Sequence, residues 1–551
     1  CDPTVDKYDW TPLPGVCKID GQCHASGATI TGGCGTCNPS QSTTAWTVTG
    51  SGCLIDFACQ AAGATHPAGC GTCDPTQSKT SWTVSGTSCL VGSKCYGTGT
   101  TEPGGCGVCD ATKSPVGWTQ STGCLAVHGW SKSFGSTSSD YGYGVATDAS
   151  GNVYVTGYFY NTVDFGGGAL TSAGGADIFI ASYTPSGKHR WSKSFGSTSA
   201  DYGQAVAVDG DGNVYLTGRF YNSVSFGGAT LTSAGSYDIF VASFTSDGAH
   251  RWSKAFGGTS SDYGYGIAVD GSGNVTTTGS FYYDVDFGGG TITNQGGRDI
   301  YVASYTSNGA HRWSKGFGGT STDYGYDVAI DGSGNSYVTG YFYSTVDLGG
   351  GPLTSAGSYD IFVASFDTVG THRWSKSFGN TSGDYGYAIA VDDSANVYVT
   401  GYFYNSIDFG GGPITSQGSG DIYLASFTSG GAHRWSKGFG NTSSDYGQGV
   451  ATDPSGNVVL VGYFYNSVDF GGGALASAGS ADLFAASFSS TGVHRWSRSH
   501  GSTSGDYGRD VTVDSSGNAF VTGNFYNTVD FGGGPLTSAG SYDIFLLKVD
   551  Q

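Results

Sequence analysis

At 551 residues the chain is long enough for two or three domains, and its composition leans all-β: 97 glycines, 14% aromatic and 12% charged residues, with little of what long helices need. A net charge of −20 repels phosphate backbones and anionic lipid, which excludes nucleic acid and leaves cations, neutral glycans and basic proteins open as partners. No run of about 18 apolar residues occurs, so there is no transmembrane segment of the helical kind.

All fourteen cysteines lie within residues 1–124. They recur with a period of 36: Cys23, Cys34, Cys37, Cys53, then Cys59, Cys70, Cys73, Cys89, then Cys95, Cys106, Cys109, Cys124. Each unit carries a tryptophan after its Cys-x-x-Cys pair, at Trp46, Trp82 or Trp118. Cys1 and Cys17 remain, and the count closes if they pair and each unit forms two internal bridges, with three pairings open per unit. Units this small bury no independent core, so disulfides would hold them, in an oxidising compartment. Two Cys-x-x-Cys pairs could instead supply zinc with thiolates, but each pair travels with two further cysteines of its own unit. The chain opens on Cys1 with no leader before it, which reads as a processed mature chain. Lipidation of Cys1 is the alternative, disfavoured because it leaves an odd number of other cysteines.

Beyond this arm a second repeat begins. Trp130, Trp191, Trp252, Trp313, Trp374, Trp435 and Trp496 are spaced by 61 residues every time. In the same phase Asp140, Asp201, Asp262, Asp323, Asp384, Asp445 and Asp506 each open an Asp-Tyr-Gly triplet, and Asp-x-x-Gly/Ala-Asn turns recur from Asp148 to Asp514. Each period reads as four short strands. In the second copy they are Gln204–Asp209, Val214–Tyr221, Asp238–Phe244 and His250–Phe256, with a Gly-rich loop between the second and third. Seven such units match the blades of a propeller, and small residues in the first strand suit the crowded axis. The series opens on a lone fourth strand, Gly129–Phe134, and closes on a third strand, Asp543–Val549. The two predict a ring closed between Trp130 and Phe134 on one side and Asp543 and Phe545 on the other, leaving no free blade edge.

The phrases DIFVASF-x₃-G-x-HRWSK, G-x-S-x-x-DYG and VDGSGN-x-YVTG resemble the bacterial SBBP β-propeller repeat, over residues 128–551 in seven copies. That resemblance implies a propeller on an extracellular or surface-attached bacterial protein and says little about activity. The arm is similar to short cysteine-rich repeats of myxobacterial secreted proteins.

The candidate chemistry sits mostly at repeated positions. His189, His250, His311, His372, His433 and His494 share one strand context, each followed by Arg and Trp, which points to a structural contact. No nucleophile elbow, His-Glu-x-x-His or phosphate loop occurs, so no catalytic residue is assigned. Asp209, Asp211 and Asn213 look like part of a calcium loop, calcium being the one cofactor suggested, although Asx turns explain the Asp and Asn that the other copies keep. A ring of Asp-Tyr-Gly carboxylates would attract a cation, or each would fix its own blade through backbone bonds. Strand ends such as Phe159-Tyr160 and Phe403-Tyr404 offer aromatic surface to sugars, or pack between blades. One position varies between copies and is the better binding candidate: Tyr143, Gln204, Tyr265, Tyr326, Tyr387, Gln448 and Arg509.

The expectation is therefore an all-β protein, a disulfide-rich arm (1–127) followed by a seven-bladed β-propeller (128–551), secreted or at the cell surface. It is expected to be a non-catalytic interaction or assembly module, self-associating into a filament or coat or binding a surface protein. A multivalent glycan-binding adhesin is the alternative, and an enzyme the distant third.

Overall fold

The four-strand reading of the repeat is what folds. In the computed structural model the first period forms strands Tyr141–Thr147, Val153–Phe159, Asp177–Tyr183 and His189–Phe195, hydrogen-bonded in that order. Residues 126–551 are described in full, and of residues 1–125 only the backbone of short strands is described. The protein is all-β, with seven four-stranded antiparallel sheets making a seven-bladed propeller and no helix among the described residues.

The third strands explain how the ring packs. Asp177–Tyr183 is buried at every position, although half-buried strands alternate. Ile178 and Ile180 face the second blade, in a cluster with Val214, Leu216 and Phe240. Phe179 and Ala181 face the seventh, with Phe520, Ile544 and Leu546. Each sheet thus has two buried faces, and the core is seven clusters between neighbouring blades rather than one. Apolar burial of this kind is worth about 25 cal/mol per Å².

The stretch read as a Gly-rich loop is a hairpin. Thr162–Asp164 pairs with Ala169–Thr171, and its Phe165 lies 5.4 Å from Phe134 of the preceding blade's outer strand. The Tyr183 hydroxyl donates to the Phe165 carbonyl at 2.8 Å. These hairpins fill the wedge that opens between blades toward the rim.

The ring closes between the chain's two extremes of the propeller. Val127–Phe134 pairs with Asp543–Asp550 as the fourth strand of the last blade, setting Trp130 opposite Lys548 and Ser133 opposite Phe545. Phe134 stands opposite Ile544, while Asp543 pairs with Phe525 of the second strand. The closing strand also supplies His128 as a seventh member of the histidine series, which a search for His-Arg-Trp misses because Gly129 replaces the arginine.

The chain divides into units Cys1–Cys124 and Leu125–Gln551. In the first, short hairpins recur at Val16–Ala25, Gly52–Ala61 and Ser88–Gly97, which sets Cys17, Cys53 and Cys89 at one repeat position. The backbone repeat therefore starts before Cys17, earlier than the cysteine grouping above. The cysteine side chains and their pairing, with the zinc and lipidation readings, lie outside the described residues.

Buried aspartates give the fold a pH dependence. Asp177 and its equivalents Asp238, Asp299, Asp360, Asp421, Asp482 and Asp543 each leave one carboxylate oxygen without a hydrogen-bond partner, and burial pushes each up to about 6. The unfolded value is about 3.9, so the folded chain holds protons that the unfolded chain releases. This stabilisation is complete below pH 4 and lost as pH rises through 6. Thermal melts are expected to show Tm falling by about 5 °C or more from pH 5 to pH 8, since one unit in one group is about 1.4 kcal/mol. A flat or rising Tm over that range contradicts the assignment.

Candidate functional site

Every inner strand carries a β-bulge at one place, between Gly142 and Gly144 in the first blade and Gly325 and Asp327 in the fourth. A bulge inserts one extra residue and re-aims its side chain. The extra residues are Tyr143, Gln204, Tyr265, Tyr326, Tyr387, Gln448 and Arg509, and all seven line a cavity of about 120 Å³ on the propeller axis. The variable position thus becomes one site, an axial cup. Tyr265 and Tyr326 stack at 4.8 Å, 4° from parallel, and Tyr387 follows at 4.9 Å from Tyr326. Gln448, Arg509, Tyr143 and Gln204 complete the ring in blade order.

The residue after the bulge lines the cup as well in four blades, at Ala205, Asp327, Ala388 and Asp510, which make its floor. That position reads Gly144, Ala205, Gly266, Asp327, Ala388, Gly449 and Asp510 around the ring. Asp327 accepts the Ile389 amide of the next blade at 2.9 Å and its neighbour Val328 at 2.8 Å. Asp510 likewise accepts Val145 and Val511, both at 2.8 Å. Burial pushes Asp327 up to about 7, with the charge of Asp510 adding to the rise, and pushes Asp510 up to about 6. Both floor carboxylates act as clasps between blades.

Around the cup runs a belt of tyrosines. From Tyr141 to Tyr158, Tyr202, Tyr237, Tyr263, Tyr265, Tyr326, Tyr341, Tyr385, Tyr402, Tyr446, Tyr463, Tyr507, Tyr542 and back, each ring centroid lies within 6.4 Å of the next. The Asp-Tyr-Gly tyrosines supply six of its fourteen members, because each stands where an inner strand begins, and in place of Tyr324 the belt runs through the cup-wall residues Tyr265 and Tyr326. One open groove on the face where the inner strands begin, about 460 Å³, lies between the last and first blades against Tyr141, Tyr158 and Tyr160. The strand-end Phe159 and Phe403 are fully buried packing residues. Tyr283, on the same face, is 54% exposed and sits in left-handed backbone at φ 69°, where five other blades place Asn.

The repeated polar residues are occupied elsewhere. Asp140 accepts the Ser136 and Tyr160 amides at 2.6 and 2.7 Å, backbone bonds that tie the start of the inner strand to its own blade. Asp209 accepts the Asp211 and Asn213 amides, the Asn213 side chain and the Tyr215 hydroxyl at 2.8–3.0 Å, the arrangement of the other turns. Among the described residues no group of three or more His, Cys, Asp or Glu gathers as a metal site. His189 shares a hydrogen bond with Ser192, Arg190 donates to Tyr154 and Ser182, and the Trp191 indole donates to the Ser246 carbonyl of the next blade. The Asp209 turn and the His189, Arg190 and Trp191 contacts lie toward the opposite face, whereas Asp140 stands beside Tyr141 on the tyrosine face.

The profile of the SBBP family, a β-propeller repeat, matches residues 129–158, 190–219, 312–341, 373–402 and 495–524. Each match runs from an outer strand into the second strand of the next blade. The propeller thus carries SBBP repeats. The two blades whose inner strands lie outside the matched spans have the same four strands. The chain is similar to an uncharacterized WD repeat-containing protein of Acanthamoeba polyphaga mimivirus, 22% identical over 76% of this chain and 38% of the viral protein. It is also similar to the regulatory protein FlaEY of Caulobacter vibrioides, 24% identical over 50% of this chain and 31% of that protein. The chain thus spans less than two fifths of the length of these curated relatives. Among solved structures, a gluconolactonase from Xanthomonas campestris aligns with 63% of this chain and 86% of its own at 13% identity and a TM-score of 0.31.

Proposed function

We propose that this propeller is a non-catalytic interaction module, extracellular or at the cell surface, whose tyrosine face binds saccharide. The observation that carries the reading is the closed tyrosine belt around an axial cup. Aromatic rings with hydroxyls at their edges stack on the CH faces of sugars and hydrogen-bond their hydroxyls. The repeated histidines, arginines and aspartates that a catalytic constellation would draw on are engaged in bonds within and between blades. Related tyrosines at the start of the inner strands around one face would give a long glycan several footholds. A glycan array probed with the full chain tests this: retention of a defined set of glycans is expected, and loss of that retention on replacing Tyr402 and Tyr446 with Ala. Absence of any retained glycan, with ordered fibres in negative stain, would favour self-association instead.

A further inference from the structure

Cations that break the repeat stand at two places on the tyrosine face, a pair at Tyr263 and a single one in the cup. Arg219, Arg298 and Arg509 have no equivalent in the other blades, and all three lie among the belt tyrosines. Arg219 stands 4.4 Å from the Tyr202 ring and 4.9 Å from Tyr263, and Arg298 stands 4.2 Å from Tyr263. Burial raises the Tyr265 hydroxyl in the cup, and the charges of Arg219 and Arg298 offset part of that rise. Arg509 is in the cup wall itself. Its Nε donates to Asn524 at 3.3 Å, its guanidinium lies 5.1 Å from Tyr507, and its two terminal nitrogens have no partner among the described residues. Among the described residues none of the three makes an ion pair, and Arg298 donates to the Ser261 carbonyl. The repeated arginines, by contrast, donate to a tyrosine or serine on the opposite side of the blade. On a chain of net charge −20, the half-buried Arg509 guanidinium marks a site for an anion, because the floor carboxylates Asp327 and Asp510 beside it are taken up by backbone amides.

The cup has two unlike arcs. Tyr265, Tyr326 and Tyr387 make an aromatic wall, and Gln448, Arg509 and Gln204 a hydrogen-bonding one. Its volume of about 120 Å³ suits one small ring, not a drug-sized ligand. We propose that the cup takes a single carboxylated sugar residue of a longer saccharide, its ring against the three-tyrosine arc and its carboxylate on Arg509. This rests on the saccharide reading above and adds its acidic class. Guanidinium suits a carboxylate because two of its N–H groups reach both oxygens at once.

Isothermal titration of the full chain with a short oligogalacturonate, its methyl ester and tetraglutamate tests the proposal, beside an array carrying glucuronate- and sialate-terminated glycans. At least one acidic saccharide is expected to bind at least about tenfold more tightly than its ester, a preference that shrinks with salt. Arg509→Gln should abolish that preference with Tm unchanged, and Arg509→Lys, which keeps the charge, should retain part of it. If ester and acid bind alike, the saccharide reading stands and the acidic one falls. If no saccharide binds, both fall. Equal binding of tetraglutamate, lost in Arg509→Gln, would make the ligand an acidic peptide and overturn the proposal.

Discussion

Deleting residues 127–134 from the full chain is expected to lower Tm by about 15 °C and to produce dimers by strand exchange. The deletion leaves the last blade with three strands and bares Asp543–Asp550 as an edge whose Phe545, Leu546 and Leu547 are otherwise buried. It also takes Trp130 and Phe134 out of the cluster between the last and first blades. Removing each large aromatic from a core costs about 3–5 kcal/mol and each lost ladder hydrogen bond about 1 kcal/mol, together about 15 kcal/mol, and in a domain of this size each kcal/mol is worth about 1 °C. The bared edge is a template for another chain, which is why dimers are expected. Thermal melts with size-exclusion chromatography measure both. An unchanged melting temperature would mean that closure by this strand is not what holds the ring.

Gly340→Ala is expected to be the most damaging single substitution, costing about 4 kcal/mol or more. A Cβ there would lie 1.9 Å from the Tyr324 carbonyl oxygen and 2.8 Å from Phe362, with backbone on one side and core on the other. The same 1.9–2.0 Å approach recurs at Gly157, Gly218, Gly279, Gly401, Gly462 and Gly523, so close strand approach, not a turn, keeps glycine in every second strand. Overpacking normally costs about 1–3 kcal/mol because side chains move aside, but a ladder carbonyl has nowhere to go without breaking the blade. Gly332→Ala is the control, since its Cβ meets nothing within 4 Å, and it should stay within about 0.5 kcal/mol of wild type. Chemical denaturation of the two variants separates packing from any general loss of glycine.

Much of this architecture is legible in the spacing of residues. The tryptophan period counts the blades, and the unpaired strands at Trp130 and Asp543 announce the closure because four strands per period leave a remainder at each end. The Phe165 hairpin is hidden because its strands are three residues long and Gly-rich, below what alternation can signal. For the site, variation between copies finds Tyr143 through Arg509, since a repeat holds structural positions constant and leaves functional ones to drift. The same comparison would find Asp327 and Asp510, one residue further on. Arg219 and Arg298 are harder. They sit on different strands of different blades, and only the ring geometry brings both to Tyr263. The belt is hardest to see, because each tyrosine alone reads as a packing residue.

Hydrogen-exchange mass spectrometry of the propeller, with and without the tightest glycan from the array, tests the role of the tyrosine face most directly. Protection is expected in the segments that begin the inner strands, around Tyr141–Val145, Tyr324–Val328 and Tyr507–Val511, with the Asp148–Asn152 and Asp331–Asn335 turns of the opposite face unchanged. Protection centred on those opposite turns, or spread evenly over the blades, would contradict the assignment of the tyrosine face as the binding surface.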